Sequence, residues 1–226
     1  MSHEDIEVVA NFDDMNLQEN LLRGIYAYGF EKPSTIQQKA IVQIIKGTDL
    51  IAQAQSGTGK TGAFCIGALE KIDIKNKNVQ LIILSPTKEL ARQTFNVFES
   101  LGEFLDISTL LMVGGINIDQ TKKQLKKGVQ AIIGTPGRVL HMLNDKYFKT
   151  KDLKLLIIDE ADELLSIGFE EQLKNIIDII NRKIQIGLFS ATLSEECLAL
   201  TKYFMNNPIS IFVKSEELTL EGIKQY

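Results

Sequence analysis

Apolar residues in this chain fall into short blocks, and between the blocks they recur every three or four positions. The blocks at 49–52, 79–85, 107–113, 130–134, 153–159, 184–189 and 209–213 predict buried strands. The intervals predict helices over 62–72, 89–104, 118–127, 139–144, 169–180 and 195–204. Ahead of the first block, Leu17, Leu21, Leu22 and Ile25 share one face of a helix that Asn16 is expected to cap. A second helix is predicted over 35–45, with Ser34 as its cap and Gln37 and Gln38 in its first turn. Strand and helix then alternate to the end. That order predicts an α/β fold, a mainly parallel sheet with helices on both faces.

Polar and glycine-rich motifs follow the apolar blocks almost without exception. Ala54-Gln55-Ser56-Gly57-Thr58-Gly59-Lys60-Thr61 comes after the first, Pro86-Thr87-Lys88-Glu89-Leu90 after the second, and Gly114-Gly115 after the third. Thr135-Pro136-Gly137-Arg138, Asp159-Glu160-Ala161-Asp162 and Ser190-Ala191-Thr192 follow the next three. In a parallel sheet these strand ends share one edge, so six separated motifs should form one surface.

The first motif has the chemistry of a phosphate loop. Gly57 and Gly59 let the backbone curl so that successive N–H groups face phosphate oxygens, at the positive end of the following helix. Lys60 would reach the outer phosphates of a nucleoside triphosphate, and the Thr61 hydroxyl would ligate Mg²⁺. The general pattern begins with Gly where this chain has Ala54. Asp159 ends a wholly apolar strand, a costly place for a carboxylate unless it serves a cation, so it is expected to ligate the same Mg²⁺ directly or through water. Glu160 would orient and deprotonate the attacking water. Asp162 would accept hydrogen bonds from the Ser190 and Thr192 hydroxyls.

Composition narrows the setting. The chain has 226 residues and a formal net charge of −4, so nucleic acid would have to be held by a local patch or by backbone donors. Cys65 and Cys197 have no partner at metal-ligand spacing and are expected to be buried free thiols in a reducing compartment. Residues 1–11 lack the features of a signal peptide, and no apolar run is long enough to span a bilayer. A soluble protein with no membrane partner is expected, in the cytoplasm or alternatively the nucleus. Lys122, Lys123, Lys126 and Lys127 read as a solvated helix face, with an RNA patch as the alternative. His141, with no carboxylate or cysteine beside it in sequence, reads as structural.

Taken with Gly29-Phe30-Glu31-Lys32-Pro33 and Gln37, the six motifs resemble the DEAD-box RNA helicases over almost the whole chain. The nearest likeness is to the eukaryotic translation initiation factor 4A group, through Leu21-Leu22-Arg23-Gly24-Ile25, Glu31-Lys32-Pro33-Ser34 and the tail from Glu217 to Gln225. That family's loop also begins with Ala. The resemblance implies a RecA-like P-loop NTPase domain and an ATP hydrolase that unwinds short RNA duplexes, in translation initiation. An ATP-gated RNA clamp is the alternative reading. It implies an adenine site in which Gln37 makes paired hydrogen bonds to the base, Phe30 stacks on it, and Lys32 and Pro33 border it. Phe12 is either a support of that site or a packing residue. RNA would run over Pro86, Thr87, Lys88, Glu89, Gly114, Gly115, Thr135, Gly137 and Arg138, which suit backbone contacts that ignore base identity. Lys88 stands where the family usually has Arg, and an ammonium makes a weaker phosphate contact than a planar fork.

The domain plan follows. Residues 1–11 are expected to be a mobile lead-in, 12–45 an adenine-recognition region, 46–213 the ATP-binding domain, and 214–226 a linker toward an absent second RecA-like domain. In the family that domain supplies arginines to the ATP site, a contribution of about 10³ to 10⁵ in rate. This chain alone should therefore hydrolyse ATP very slowly. Translation-initiation scaffold proteins are further candidate partners.

Overall fold

A computed structural model of the chain describes residues 6–180 and 184–213, so the expected linker at 214–226 lies outside the described residues. The strands are β1 (Leu50–Gln53), β2 (Leu81–Leu84), β3 (Thr109–Met112), β4 (Ala131–Gly134), β5 (Leu155–Ile158), β6 (Gln185–Ser190) and β7 (Ile209–Phe212). The helices are α1 (Glu19–Ala27), α2 (Thr35–Lys46), α3 (Lys60–Glu70), α4 (Lys88–Leu101), α5 (Ile118–Lys127), α6 (Pro136–Asn144), α7 (Ala161–Ser166), α8 (Glu170–Ile180) and α9 (Glu195–Phe204). Every strand pairing among them is parallel, in the order β3-β4-β2-β5-β6-β1-β7.

The expected α/β fold is what forms, and the strand sequences explain it. Leu81-Ile82-Ile83-Leu84 and Leu155-Leu156-Ile157-Ile158 are buried at every position, as a sheet covered on both faces requires. Alternation divides them between two cores. Ile83, Ile133, Ile157 and Phe189 join one cluster with residues of α1 to α4, whereas Leu84, Ile132, Ile158 and Leu188 join another with residues of α5 to α9. Both cysteines are buried and unpaired, Cys65 in the first cluster and Cys197 in the second. Burial pushes the Cys65 thiol well above its usual range and the Cys197 thiol to about 11. No helix of the described residues is long and apolar enough to cross a membrane.

One local expectation is corrected, and two details are added. Asn16 does not cap α1: it ends a 3-10 turn, Phe12–Met15, in the left-handed conformation at φ 55°, and Gln18 precedes the helix without a side-chain cap. Residues 6–11 are held against α2, with the Val9 amide donating to the Gln38 carbonyl at 3.1 Å and Glu7 paired with Lys46. The chain after Asp159 turns at once into α7, a helix too short for its apolar spacing to declare it.

Candidate functional site

Parallel strands bring all six motifs to one rim of the sheet. The β1 end is tied to the β6 end, where the Ala54 amide donates to the Ser190 carbonyl at 3.1 Å and the Gln53 side chain to the Ala191 carbonyl at 3.2 Å. The loop between β1 and α3 turns through Gly57 at φ 80° and Gly59 at φ 98°, a region a Cβ disfavours. Within it Ala54 is buried, Gln55, Ser56 and Gly57 are exposed, and Thr61 is half-buried in the first turn of α3. The Thr58 hydroxyl donates to the Gln55 carbonyl at 2.7 Å and braces the curve.

Lys60 is 5% exposed, and its ammonium has two partners. It donates to the Ala54 carbonyl at 2.9 Å and lies 3.3 Å from the Glu160 carboxylate. A buried cation so paired avoids the cost of an isolated charge, and a triphosphate offers oxygens of the same kind. Glu160 sits at φ 48° and ψ 56°, a left-handed conformation rare for a side chain of this type. That turn aims its carboxylate back toward the loop from a residue 100 positions away in sequence.

Asp159 is 5% exposed, and its carboxylate accepts the Glu160 amide at 3.0 Å, the one hydrogen bond to that carboxylate among the described residues. Burial first, and then the Glu160 charge, push its carboxyl up to about 7. A buried carboxylate with few donors, beside the hydroxyl-bearing start of α3, fits a hard divalent cation. Among the described residues no three His, Cys, Asp or Glu side chains gather as a metal cage. Mg²⁺ does not need one, because it keeps waters and takes substrate phosphates on one or two protein ligands.

Asp162 crosses to the β6 end, though not quite as expected. Its carboxylate accepts the Thr192 hydroxyl at 2.8 Å and the Thr192 amide at 3.0 Å. The Ser190 hydroxyl instead donates to the Thr192 carbonyl at 2.6 Å and accepts the Asp162 amide at 3.2 Å. Burial pushes the Asp162 carboxyl up, but the side chains of Thr192 and Ser190 and the amides of Thr192 and Glu163 outweigh it and leave the group below its usual range. Ser56, Glu160, Asp162 and Thr192 line an open cleft of about 930 Å³.

The residues read as an adenine site gather behind the loop. Gln37 is buried, accepting the Ser34 amide at 2.9 Å and donating to the Gly59 carbonyl at 3.3 Å, which leaves one N–H and one lone pair of its amide. Phe30 is half-buried and stacks at 6.3 Å on Phe12, itself 1% exposed. Phe12 is thus a packing residue that also fixes Phe30. A Cβ on Gly62 would meet the Gln37 amide at 2.6 Å and the Phe30 ring at 3.0 Å, so these groups close on the start of α3. Pro33 is buried, and Lys32 is exposed.

Farther along the rim, Pro86, Thr87, Lys88, Gly114, Thr135, Gly137 and Arg138 line one groove of about 440 Å³. Its walls are helix starts: Thr87 caps α4, accepting the Leu90 amide at 3.1 Å, and Thr135 precedes α6 with Pro136 in the first turn. Lys88 leans over Gly114 and Gly115, while Arg138 donates to the Ile116 carbonyl at 3.0 Å. Glu89 and Gly115 are exposed beside the groove. Phe169 also lines it, a residue sequence reasoning read only as the first of a helix.

One other detail changes, and one reading holds. His141 does have a carboxylate partner, Asp145 one turn on, at 3.3 Å on the surface. Lys122 pairs with Asp119 and lies 4.3 Å from the Tyr147 ring centre, while Lys123, Lys126 and Lys127 are exposed. A pocket of about 490 Å³ around Asp49, Gln185 and Phe204 lies at the strand beginnings and includes none of the motif residues.

Comparison with known proteins gives a consistent result. The sequence profile described as DEAD/DEAH box helicase matches residues 34–200. A protein named ATP-dependent RNA helicase eIF4A from Lodderomyces elongisporus is 51% identical over 219 residues, 97% of this chain and 55% of that protein. Eukaryotic initiation factor 4A of Zea mays is 50% identical over 97% of this chain and 54% of its own length. The chain therefore spans about half the length of the curated relatives it matches. Among solved structures, a DEAD box protein from the hyperthermophile Methanococcus jannaschii superposes with a TM-score of 0.87 at 38% identity, covering 90% of this chain and 56% of that one. A variant of S. cerevisiae Dbp5 bound to RNA and ADP BeF3 gives 0.82 at 33% identity, covering 96% of this chain and 55% of that one.

Proposed function

This chain belongs to the DEAD/DEAH box helicase family, with a RecA-like fold, and from that premise we propose that it is the ATP- and RNA-binding half of an ATP-dependent RNA helicase of the initiation factor 4A type. The observation that carries the reading is a cleft lined by Glu160, Asp162 and Thr192, with Lys60 paired to Glu160 and Asp159 bonded to its amide, and a groove of helix starts on the same rim. Lys60 would leave Glu160 for the outer phosphates, freeing that carboxylate to orient water. Asp159 and Thr61 would hold Mg²⁺, which supplies charge neutralisation between phosphate oxygens. Gln37 would read adenine with its remaining N–H and lone pair. The Thr87, Thr135 and Arg138 donors would hold a single strand by its ribose-phosphate backbone. Thr192, tied to Asp162, joins the strand end beside the phosphate loop to the residues facing the water.

Hydrolysis at a useful rate would need arginines from a second RecA-like domain. A role in translation initiation, in the cytoplasm or nucleus and with initiation scaffolds as partners, follows from the kind of relative the chain resembles. The test is paired binding of ATP and of single-stranded RNA to the chain carrying Lys60→Ala or Arg138→Ala. Each substitution is expected to weaken only its own ligand. Unchanged binding of both ligands in both variants would end the reading.

A further inference from the structure

Ser85 follows β2 and begins the loop to Pro86 and Thr87. It is 0% exposed, and its hydroxyl has no hydrogen-bond partner among the described residues. Nearly all buried polar groups are paired, so an orphan in the middle of a sheet rim calls for a reason. The ladder continues to its level on both sides: the Asp159 amide donates to the Leu84 carbonyl at 2.9 Å, and the Ser85 amide to the Gly134 carbonyl at 2.9 Å. Ser85 is therefore flanked by Asp159 on one strand and Thr135 on the other, about 4.8 Å away in each direction. By alternation all three follow Ile83, Ile157 and Ile133 onto the same face.

The two neighbours differ in what they lack. Thr135 opens on the groove, where a ligand or solvent can meet its hydroxyl. Asp159 in its ionised form is acceptor-only, and its buried carboxylate has one donor among the described residues. A hydroxyl short of an acceptor stands beside a carboxylate short of donors, and one rotation about χ1 of a serine separates them from a bond. We infer that Ser85 is a positioning residue for Asp159, its hydroxyl unbonded in the metal-free chain and turning to donate to the carboxylate when Mg²⁺ is held there. This rests on the reading of Asp159 as the metal carboxylate. It adds a hydrogen-bond donor behind the metal ligand, supplied by the same loop that opens the RNA groove.

The test compares wild type, Ser85→Ala and Ser85→Thr in the 226-residue chain. Melting is followed in EDTA, and fluorescent ADP binding is followed in EDTA and across a Mg²⁺ titration. Removing an orphan hydroxyl should raise the EDTA melting temperature of Ser85→Ala by about 2–5 °C. ADP affinity in EDTA should not move. The Mg²⁺ concentration at half-effect should rise about tenfold, the usual cost of losing a partner behind a metal ligand. Ser85→Thr, which keeps the hydroxyl, should return that midpoint to within about twofold of wild type. A lower melting temperature for Ser85→Ala in EDTA would overturn the inference, because the hydroxyl would already be bonded. An unchanged Mg²⁺ midpoint would overturn it too, while leaving Asp159 as the metal carboxylate. Wild-type ADP binding indifferent to Mg²⁺ would overturn both.

Discussion

Two regions of the same rim present their polar groups in different ways. Around the loop after β1 the charged groups are side chains, largely buried and already engaged with one another: Lys60 with Glu160, Asp162 with Thr192, Gln37 with Gly59. Along the groove between the ends of β2, β3 and β4, the donors are helix starts and half-exposed side chains such as Thr87 and Arg138. The first region keeps its charges in mutual pairs that a ligand must replace. The second stays shallow and open, with little to rearrange. Buried charges give large, partner-specific effects, whereas open donors give small, additive ones that salt can screen.

Changes in the first region should therefore be the larger. Asp159→Asn is expected to move stability most. The folded carboxyl titrates near 7 against 3.8 for the free group, so its ionisation opposes folding as pH rises from about 4, and most strongly above 7. In EDTA the variant should be more stable than wild type by on the order of a few kcal/mol at pH 8, with the gap closing toward pH 4. Denaturant melts at the two pH values check this, and a pH-independent difference would contradict it. Lys60→Ala should weaken ATP about 100-fold, the loss of charge-assisted bonds to phosphate, without touching RNA affinity. Isothermal titration with each ligand decides the matter.

Arg138→Ala should cost the groove about tenfold in single-stranded RNA affinity and flatten the salt dependence by about 0.7 in log–log slope. An unchanged slope would mean that the guanidinium meets no phosphate. The smallest effect expected is the coupling of Asp162 and Thr192. A double-mutant cycle with Asp162→Ala and Thr192→Val should give about 1 kcal/mol of interaction energy in denaturant melts. Zero coupling would remove the link between the two strand ends.

Much of this organisation is legible in the sequence because it depends on local patterns. Apolar blocks such as Leu81-Ile82-Ile83-Leu84 announce buried strands, and in a parallel sheet the residues after them must meet. What escapes is set by backbone angles or by contacts across long separations. The left-handed Asn16 looks like a helix cap until its φ is known. The Lys60–Glu160 pair depends on another left-handed residue and joins loops from separate strands. Phe169 reads as helix, and only the packing of α8 beside the groove brings it to the rim. The destination of the Ser190 hydroxyl was a choice between nearby acceptors that spacing alone could not make.

The two native thiols sit deep in opposite layers and are held in the protonated form. A maleimide requires a reachable thiolate, so it should leave both untouched while labelling any cysteine newly placed on the rim. Pairs of dyes across the cleft, at Ser56 and Ser194 for example, can thus be installed in the unaltered background. Whether these two loops shift when a ligand is added becomes a distance that can be followed one molecule at a time.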